Sequence, residues 1–134
     1  MPVVRNIRWR WGGSIMNNSL VSVVITTKNE EAHLLNCIKS IRLQTYSNIE
    51  IIVVDNFSTD KTKDIAKEYA DLFFLKGDER SMQRNYGLLK KSKGEYLLYL
   101  DADMILEKNL IEECIKQIQE AKSLMWLQNQ ASKY

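Results

Sequence analysis

The 134-residue sequence predicts an α/β domain, a parallel sheet with helices packed on its faces. Three observations lead there. Short runs of β-branched and aliphatic residues recur, apolar at consecutive positions and so suited to strands buried on both faces. Segments with apolar residues at helical spacing separate those runs. Polar clusters directly follow three of the runs, and parallel strands would bring them to one edge of the sheet.

Each element has its own justification. Residues 20–26 (LVSVVIT) form a β-branched run and give the first predicted strand. Asn29 with Glu30 and Glu31 supplies a cap and an acidic first turn for a helix carrying Leu34, Leu35, Ile38 and Ile41. Residues 49–54 are the second strand, and Ser58 or Thr59 caps a short helix that runs through Tyr69. Residues 72–75 make the third strand. Residues 79–91 read as a helix with Met82, Tyr86 and Leu89 on one face and Gly94 as its stop. Residues 96–100 are too few and too aromatic for a helix, so they are the fourth strand. The last helix is amphipathic, with Leu110, Ile111, Cys114, Ile115, Ile118, Ala121 and Met125 at helical spacing. Right-handed crossovers then order the strands 3-2-1-4, a Rossmann-like sheet whose winding reverses between the first strand and the fourth. Ligands of such sheets bind at the reversal, beyond the carboxyl ends of the strands. There the sequence places residues 26–30, Asp55 with Asn56, and Asp101 with Asp103.

Composition narrows the function. A net charge of +2, with Lys and Arg spread along the chain, offers no field for nucleic acid. Cys37 and Cys114 are far apart, without metal-type spacing, and read as reduced core thiols of a cytoplasmic protein. No apolar stretch reaches the roughly 18 residues of a membrane span, and no signal-peptide pattern opens the chain. Residues 1–18 differ in character, with Arg5, Arg8, Trp9, Arg10 and Trp11 followed by Gly12 and Gly13. They read as a disordered extension, or as a start codon assigned too early with Met16 the true one. A basic aromatic arm also suits peripheral contact with a lipid headgroup surface, and the segment is assigned no function. The domain is expected over residues 19–128, with 129–134 as a tail.

The chemistry concentrates in residues 93–103 (KGEYLLYLDAD), where a short strand delivers Asp101 and Asp103 to its carboxyl end. A hard divalent ion such as Mg²⁺ or Mn²⁺ takes one or two protein carboxylates and completes its shell with water and phosphate oxygens. The alternative is ordinary turn chemistry, since Asp is common where strands end. No Gly-x-Gly-x-x-Gly or Walker pattern occurs among the five glycines, so phosphate charge must be met otherwise. Arg80 and Arg84, four apart on one helical face, could fork onto phosphate oxygens or could simply be solvated. Asp55 admits a turn role, Glu30 a helix-dipole role and Lys28 a solvated one, while His33, the only histidine, reads as surface or helix-start packing.

Four segments, VSVVITTKNEE (21–31), IIVVDNFSTDKT (51–62), ERSMQRNYGLLKKSKGEYLLYLDADM (79–104) and the helix beginning near Asn109, together resemble the nucleotide-binding half of family 2 glycosyltransferases with the GT-A fold. The resemblance covers residues 20 to about 122. It implies that Thr27, Asn29 and Glu30 line a nucleoside pocket and that Asp55 hydrogen-bonds the base, usually uracil. It further implies that Arg84, with Asn85 nearby, faces the diphosphate, that Asp101 contacts the ribose or the metal shell, and that Asp103 holds the divalent ion. In such enzymes an acceptor hydroxyl attacks the anomeric carbon of a nucleoside-diphosphate sugar with inversion. Members also carry an acceptor half with a carboxylate base and often an Arg-Trp motif; neither matches the ending SLMWLQNQASKY, and Glu107, Glu112, Glu113 and Glu120 fall on or beside the last helix. Arg80 stands where many relatives have Gly. The expectation is therefore a partial GT-A domain that binds a nucleotide sugar, or a non-catalytic module whose acceptor half comes from a second chain. A nucleotidyltransferase would show a Gly-rich basic loop after the first strand, where this chain has TTKNEE. The fourth strand has no Lys or Pro between Tyr96 and Leu100, so its free edge is expected to drive homo-oligomerisation.

Overall fold

The computed structural model describes residues 3–5 and 18–131, with side chains from Asn18 to Leu124. Its strands are β1 (Val3–Arg5), β2 (Val21–Thr27), β3 (Ile49–Asp55), β4 (Leu72–Leu75) and β5 (Tyr96–Asp101). Its helices are α1 (Leu34–Arg42), α2 (Thr62–Tyr69), α3 (Arg80–Asn85) and α4 (Leu110–Ala131). α3 continues directly into a π-helical stretch, Tyr86–Lys91.

The sheet runs β1-β5-β2-β3-β4. The three pairings that join β5, β2, β3 and β4 are parallel, which is the expected order 3-2-1-4. The register decides where function can sit. Thr26 lies beside Asp101, and Thr27 beside Asp55. The carboxyl ends of the three central strands therefore emerge level with one another, at the reversal of winding.

Two apolar layers hold this sheet. On one face Val23, Ile25, Ile51, Val53, Leu98 and Leu100 pack beneath Leu34, Ile38 and Ile41 of α1, Ala66 of α2, and Ile111 and Ile115 of α4. On the other, Val24, Ile52, Val54 and Leu97 meet Leu88 of the π stretch. Strict alternation within fully buried strands explains why the runs look uniformly apolar: each neighbour serves a different layer. The π stretch is closed by Ser92 N–H donating to Gly87 O at 2.9 Å. Its approach to the sheet requires a glycine, because a Cβ at Gly87 would stand 2.5 Å from Val24 Cγ1 and 3.1 Å from Val54 Cγ2.

Several local expectations are corrected. Asn29 does not cap α1, which begins later at Leu34 behind a turn in which Leu34 N–H donates to Glu30 O at 2.9 Å. His33 is the exposed residue preceding that helix. α2 begins at Thr62, not at Ser58 or Thr59, because Ser58 spends its hydroxyl on Asp55. Gly94 does not stop the preceding helix, which ends at Lys91 before an extended Ser92. Gly94 instead lies against β2, where its N–H donates to Ser22 Oγ at 2.7 Å. α4 reaches Ala131, into the segment expected as a tail.

Within the segment read as an extension, residues 3–5 form a strand. Val3–Arg5 pairs antiparallel with β5, Val3 opposite Tyr99 and Arg5 opposite Leu97. The outer edge of β5, expected to be free for a second copy, is occupied here by the same chain. Arg8, Trp9, Arg10 and Trp11 lie outside the described residues. Cys37 is a buried free thiol and Cys114 a partly buried one. Among the described residues no helix is long and apolar enough to cross a membrane.

Gly94 generates a test. A Cβ there would meet Ser22 N at 2.6 Å and Leu20 O at 2.8 Å, backbone atoms that cannot rotate away. Gly94→Ala is expected to cost about 1–3 kcal/mol, read as a lower urea midpoint with unchanged slope. An unchanged midpoint would contradict the close approach.

Candidate functional site

The end of β3 is organised around one buried carboxylate. Asp55 is fully buried. It accepts the Thr27 hydroxyl at 2.6 Å and the Ser58 hydroxyl at 2.5 Å on Oδ1, and the Ser58 N–H at 2.8 Å on Oδ2. Burying a carboxylate is costly unless donors replace its water, and here they do. The carboxylate thus links the end of β2, the end of β3 and the turn that follows. In this arrangement the carboxylate that the family resemblance assigns to a base faces inward. Asn56, next along, is half-buried, and its backbone N–H donates to Thr27 O at 2.9 Å.

From this joint two loops run side by side and are stitched together. Asn29 N–H donates to Ser58 Oγ at 2.8 Å, Glu30 N–H to Thr62 Oγ1 at 2.8 Å, and Glu31 N–H to Asp60 Oδ2 at 3.3 Å. Return bonds run from Thr59 N–H to Asn29 Oδ1 at 2.9 Å and from Lys61 N–H to Glu31 Oε2 at 3.1 Å. Lys28 Nζ caps the Asn56 carbonyl at 2.8 Å. Asn29 has φ 52°, a left-handed conformation that Asn tolerates better than most residues. Thr27 and Asn29, assigned by resemblance to a nucleoside pocket, thus use their side chains to build the shelf.

β5 supplies the other side. The backbone turns at once after the strand, with Met104 N–H donating to Asp101 O at 3.1 Å. The turn buries Ala102 in the core and leaves Asp103 exposed, so the small middle residue anchors the two acidic ones. Asp101 is two-fifths exposed; its Oδ1 accepts the Tyr99 hydroxyl at 3.0 Å and faces Arg80 Nη1 at 3.6 Å. Thr26, Thr27, Lys28, Glu30, Arg80 and Gln83 complete, with residues 101–103, a polar cleft of about 70 Å³. Beneath it, burial first and then the Asp103 charge push the Cys37 thiol up to about 12. That thiol stays protonated at neutral pH.

Two residues that sequence reasoning passed over matter here. Gln83 is buried on α3, and its Nε2 donates to Thr27 O at 3.0 Å and Val54 O at 2.9 Å, fastening the helix to two strand ends. Tyr99 hydrogen-bonds both Thr26 and Asp101, with Arg84 Cζ 5.6 Å from its ring centroid. Gln83 gave no signal, being a polar residue in a polar helix. The Arg80 and Arg84 spacing does bring both guanidinium groups towards β5.

The cleft combines the carboxylates of Glu30, Asp101 and Asp103, the Arg80 guanidinium and a hydrogen-bonded loop shelf, with Arg84 beside it over the Tyr99 ring. Asp101 and Asp103 offer hard oxygen donors, but among the described residues no three His, Cys, Asp or Glu converge as a complete cage. Such a set suits an ion that keeps water and shares phosphate ligands.

A sequence model of the family described as "Glycosyl transferase family 2" matches residues 22–133. Over 114 residues the chain is 34% identical to glycosyltransferase GlyG of Streptococcus pneumoniae, covering 77% of this chain and 36% of GlyG. It is 32% identical over 111 residues to putative glycosyltransferase EpsH of Bacillus subtilis, covering 75% of this chain and 31% of EpsH. The chain thus spans about a third of these relatives' length. Among solved structures, S. aureus TarS 1-349 in complex with UDP-GlcNAc superposes with TM-score 0.67 at 28% identity, over 75% of this chain and 31% of that one. Glucosyl-3-phosphoglycerate synthase from Mycobacterium tuberculosis, in complex with Mn²⁺, UDP and glucosyl-3-phosphoglycerate, gives 0.56 at 25% identity over 75% and 42%.

The site's internal logic predicts opposite outcomes for its acidic residues. Asp55→Ala strands the Thr27 and Ser58 donors and should destabilise the chain by more than about 2 kcal/mol. Asp103→Ala, at an exposed turn, should stay within about 0.5 kcal/mol of wild type. Urea unfolding of both variants checks this; similar losses in the two would contradict the assignment of one as brace and the other as free ligand.

Proposed function

The chain belongs to glycosyl transferase family 2, and from that premise we propose that its cleft binds a UDP-sugar with a divalent cation, for glycosyl transfer to an acceptor. The observation that carries the proposal is the level emergence of β2, β3 and β5, which sets Asp101 and Asp103 opposite a pre-stitched loop shelf and beside Arg80 and Arg84. The relatives solved with UDP-GlcNAc and with Mn²⁺ and UDP support it.

Asp103 and the uncommitted oxygen of Asp101 would hold Mg²⁺ or Mn²⁺. When bound, such an ion neutralises charge on the departing diphosphate. The chain's own groups do the rest. Arg84, held over the Tyr99 ring, lies at the phosphate side. Arg80 is two-thirds exposed and pairs loosely with Asp101, so it can transfer to a phosphate oxygen without leaving a buried charge unpaired. Glu30, Lys28 and Asn56 edge the nucleoside side, while Asp55, Thr27 and Asn29 keep that edge rigid from behind. Preorganisation of this kind spares ordering entropy on binding.

Acceptor chemistry is assigned to no described residue. Glu112 accepts the Thr45 hydroxyl at 2.9 Å and Glu113 pairs with Lys116 at 3.7 Å, both on α4. In this reading the general base and acceptor pocket come from outside residues 18–131, in this protein or a partner chain.

A melting series with nucleoside diphosphates tests the proposal. Ligand at a hundredfold excess over its dissociation constant adds roughly 2.7 kcal/mol, so UDP with Mn²⁺ should raise the melting temperature by about 5–10 °C. ADP and GDP should do less, EDTA should remove most of the shift, and Asp103→Ala should lose the metal-dependent part. No shift with any nucleotide at saturation would overturn the reading.

A further inference from the structure

Tyr99 lies on the same face of β5 as Leu97 and Asp101, two residues before the acidic turn. A phenol carries one proton. With that proton given to Asp101 Oδ1 at 3.0 Å, the contact to Thr26 Oγ1, also 3.0 Å, requires Thr26 to donate. The hydroxyls therefore form a directed relay from the end of β2 through Tyr99 to the carboxylate on β5. Oδ1 of Asp101 meets Tyr99 and Arg80, while no hydrogen bond to Oδ2 occurs among the described residues. The same ring carries Arg84, whose guanidinium carbon is 5.6 Å from the centroid, within cation–π range.

Packing alone does not call for a hydroxyl here. Tyr99 is half-buried at the rim of a layer made of Val24, Val54 and Leu97, where a phenylalanine ring would fill the same space. We propose that Tyr99 is a positioning residue that couples the two poles of the cleft: its hydroxyl fixes Asp101 so that Oδ2 is left for the cation, and its ring holds Arg84 for the diphosphate. The inference rests on the nucleotide-binding reading above and adds a residue that links its metal side to its phosphate side. Thr26 orients the phenol and belongs to the same device.

The two halves of the residue can be removed separately. Tyr99→Phe deletes the hydroxyl and keeps the ring; Tyr99→Leu deletes both. Calorimetric titration of Mn²⁺ into the UDP-loaded chain, and of UDP into the chain in EDTA, reads the two poles. Loss of one positioning hydrogen bond of ordinary net strength predicts roughly 3–10-fold weaker Mn²⁺ binding in Tyr99→Phe, with UDP affinity in EDTA unchanged. Tyr99→Leu should show the same metal loss and, in addition, a several-fold loss of UDP affinity in EDTA. In an Asp101→Asn background the Phe substitution should have no further effect on Mn²⁺. Wild-type Mn²⁺ affinity in Tyr99→Phe, or equal losses of metal-dependent and metal-free binding in both variants, would overturn the proposal while leaving UDP binding intact. A wild-type chain that binds UDP in neither condition would instead overturn the functional reading itself, and this inference with it.

Discussion

The structure depends on a buried carboxylate at the end of a central strand. Asp55 has no contact with water, and its hydrogen bonds come from β2 and from the turn after β3. A charge so placed is tolerable only while those donors stay in position. The penalty for losing any of them fixes Thr27 against Asp55 and draws the two loops together. The loop edge of the cleft continues from that joint, through side chains that accept the N–H groups of residues 29–31.

The opposite wall is built on a different principle. Residues 101–103 alternate outward, inward and outward, with Ala102 in the core as the anchor. Asp101 remains partly exposed and Asp103 exposed, which leaves their oxygens accessible to a ligand while Ala102 is buried beneath. Gln83 joins the walls by donating to carbonyls at the ends of both β2 and β3 from α3, the helix that carries Arg80 and Arg84. The frame of the cleft is thus hydrogen-bonded throughout, and Arg80 and Arg84 extend from it as long side chains.

Much of this was legible in the sequence. Uniformly apolar runs separated by helical periodicity fixed the number and direction of the parallel strands, and the crossover rule fixed their order. Asp101 and Asp103 were recognisable because they follow an apolar run with no spacer. Asp55 was equally visible, but a strand-end Asp looks the same whether its carboxylate faces a ligand or the protein. That orientation depends on Ser58, whose hydroxyl could as well have capped a helix. Gln83 was hidden by its polar neighbours, and the contacts of Tyr99 by an apolar run in which it reads as packing. β1 is only three residues long, too short for alternation to register.

The central claim is that nucleotide and metal meet where β2, β3 and β5 end together. Paramagnetic broadening of amide resonances by Mn²⁺ in the UDP-loaded, isotopically labelled chain locates the ion without reference to turnover. The account predicts the strongest broadening at residues 101–103, then at 26–30 and 80–84, with α4 unaffected. Broadening centred on Glu112 and Glu113 of α4, or none that depends on UDP, would contradict it.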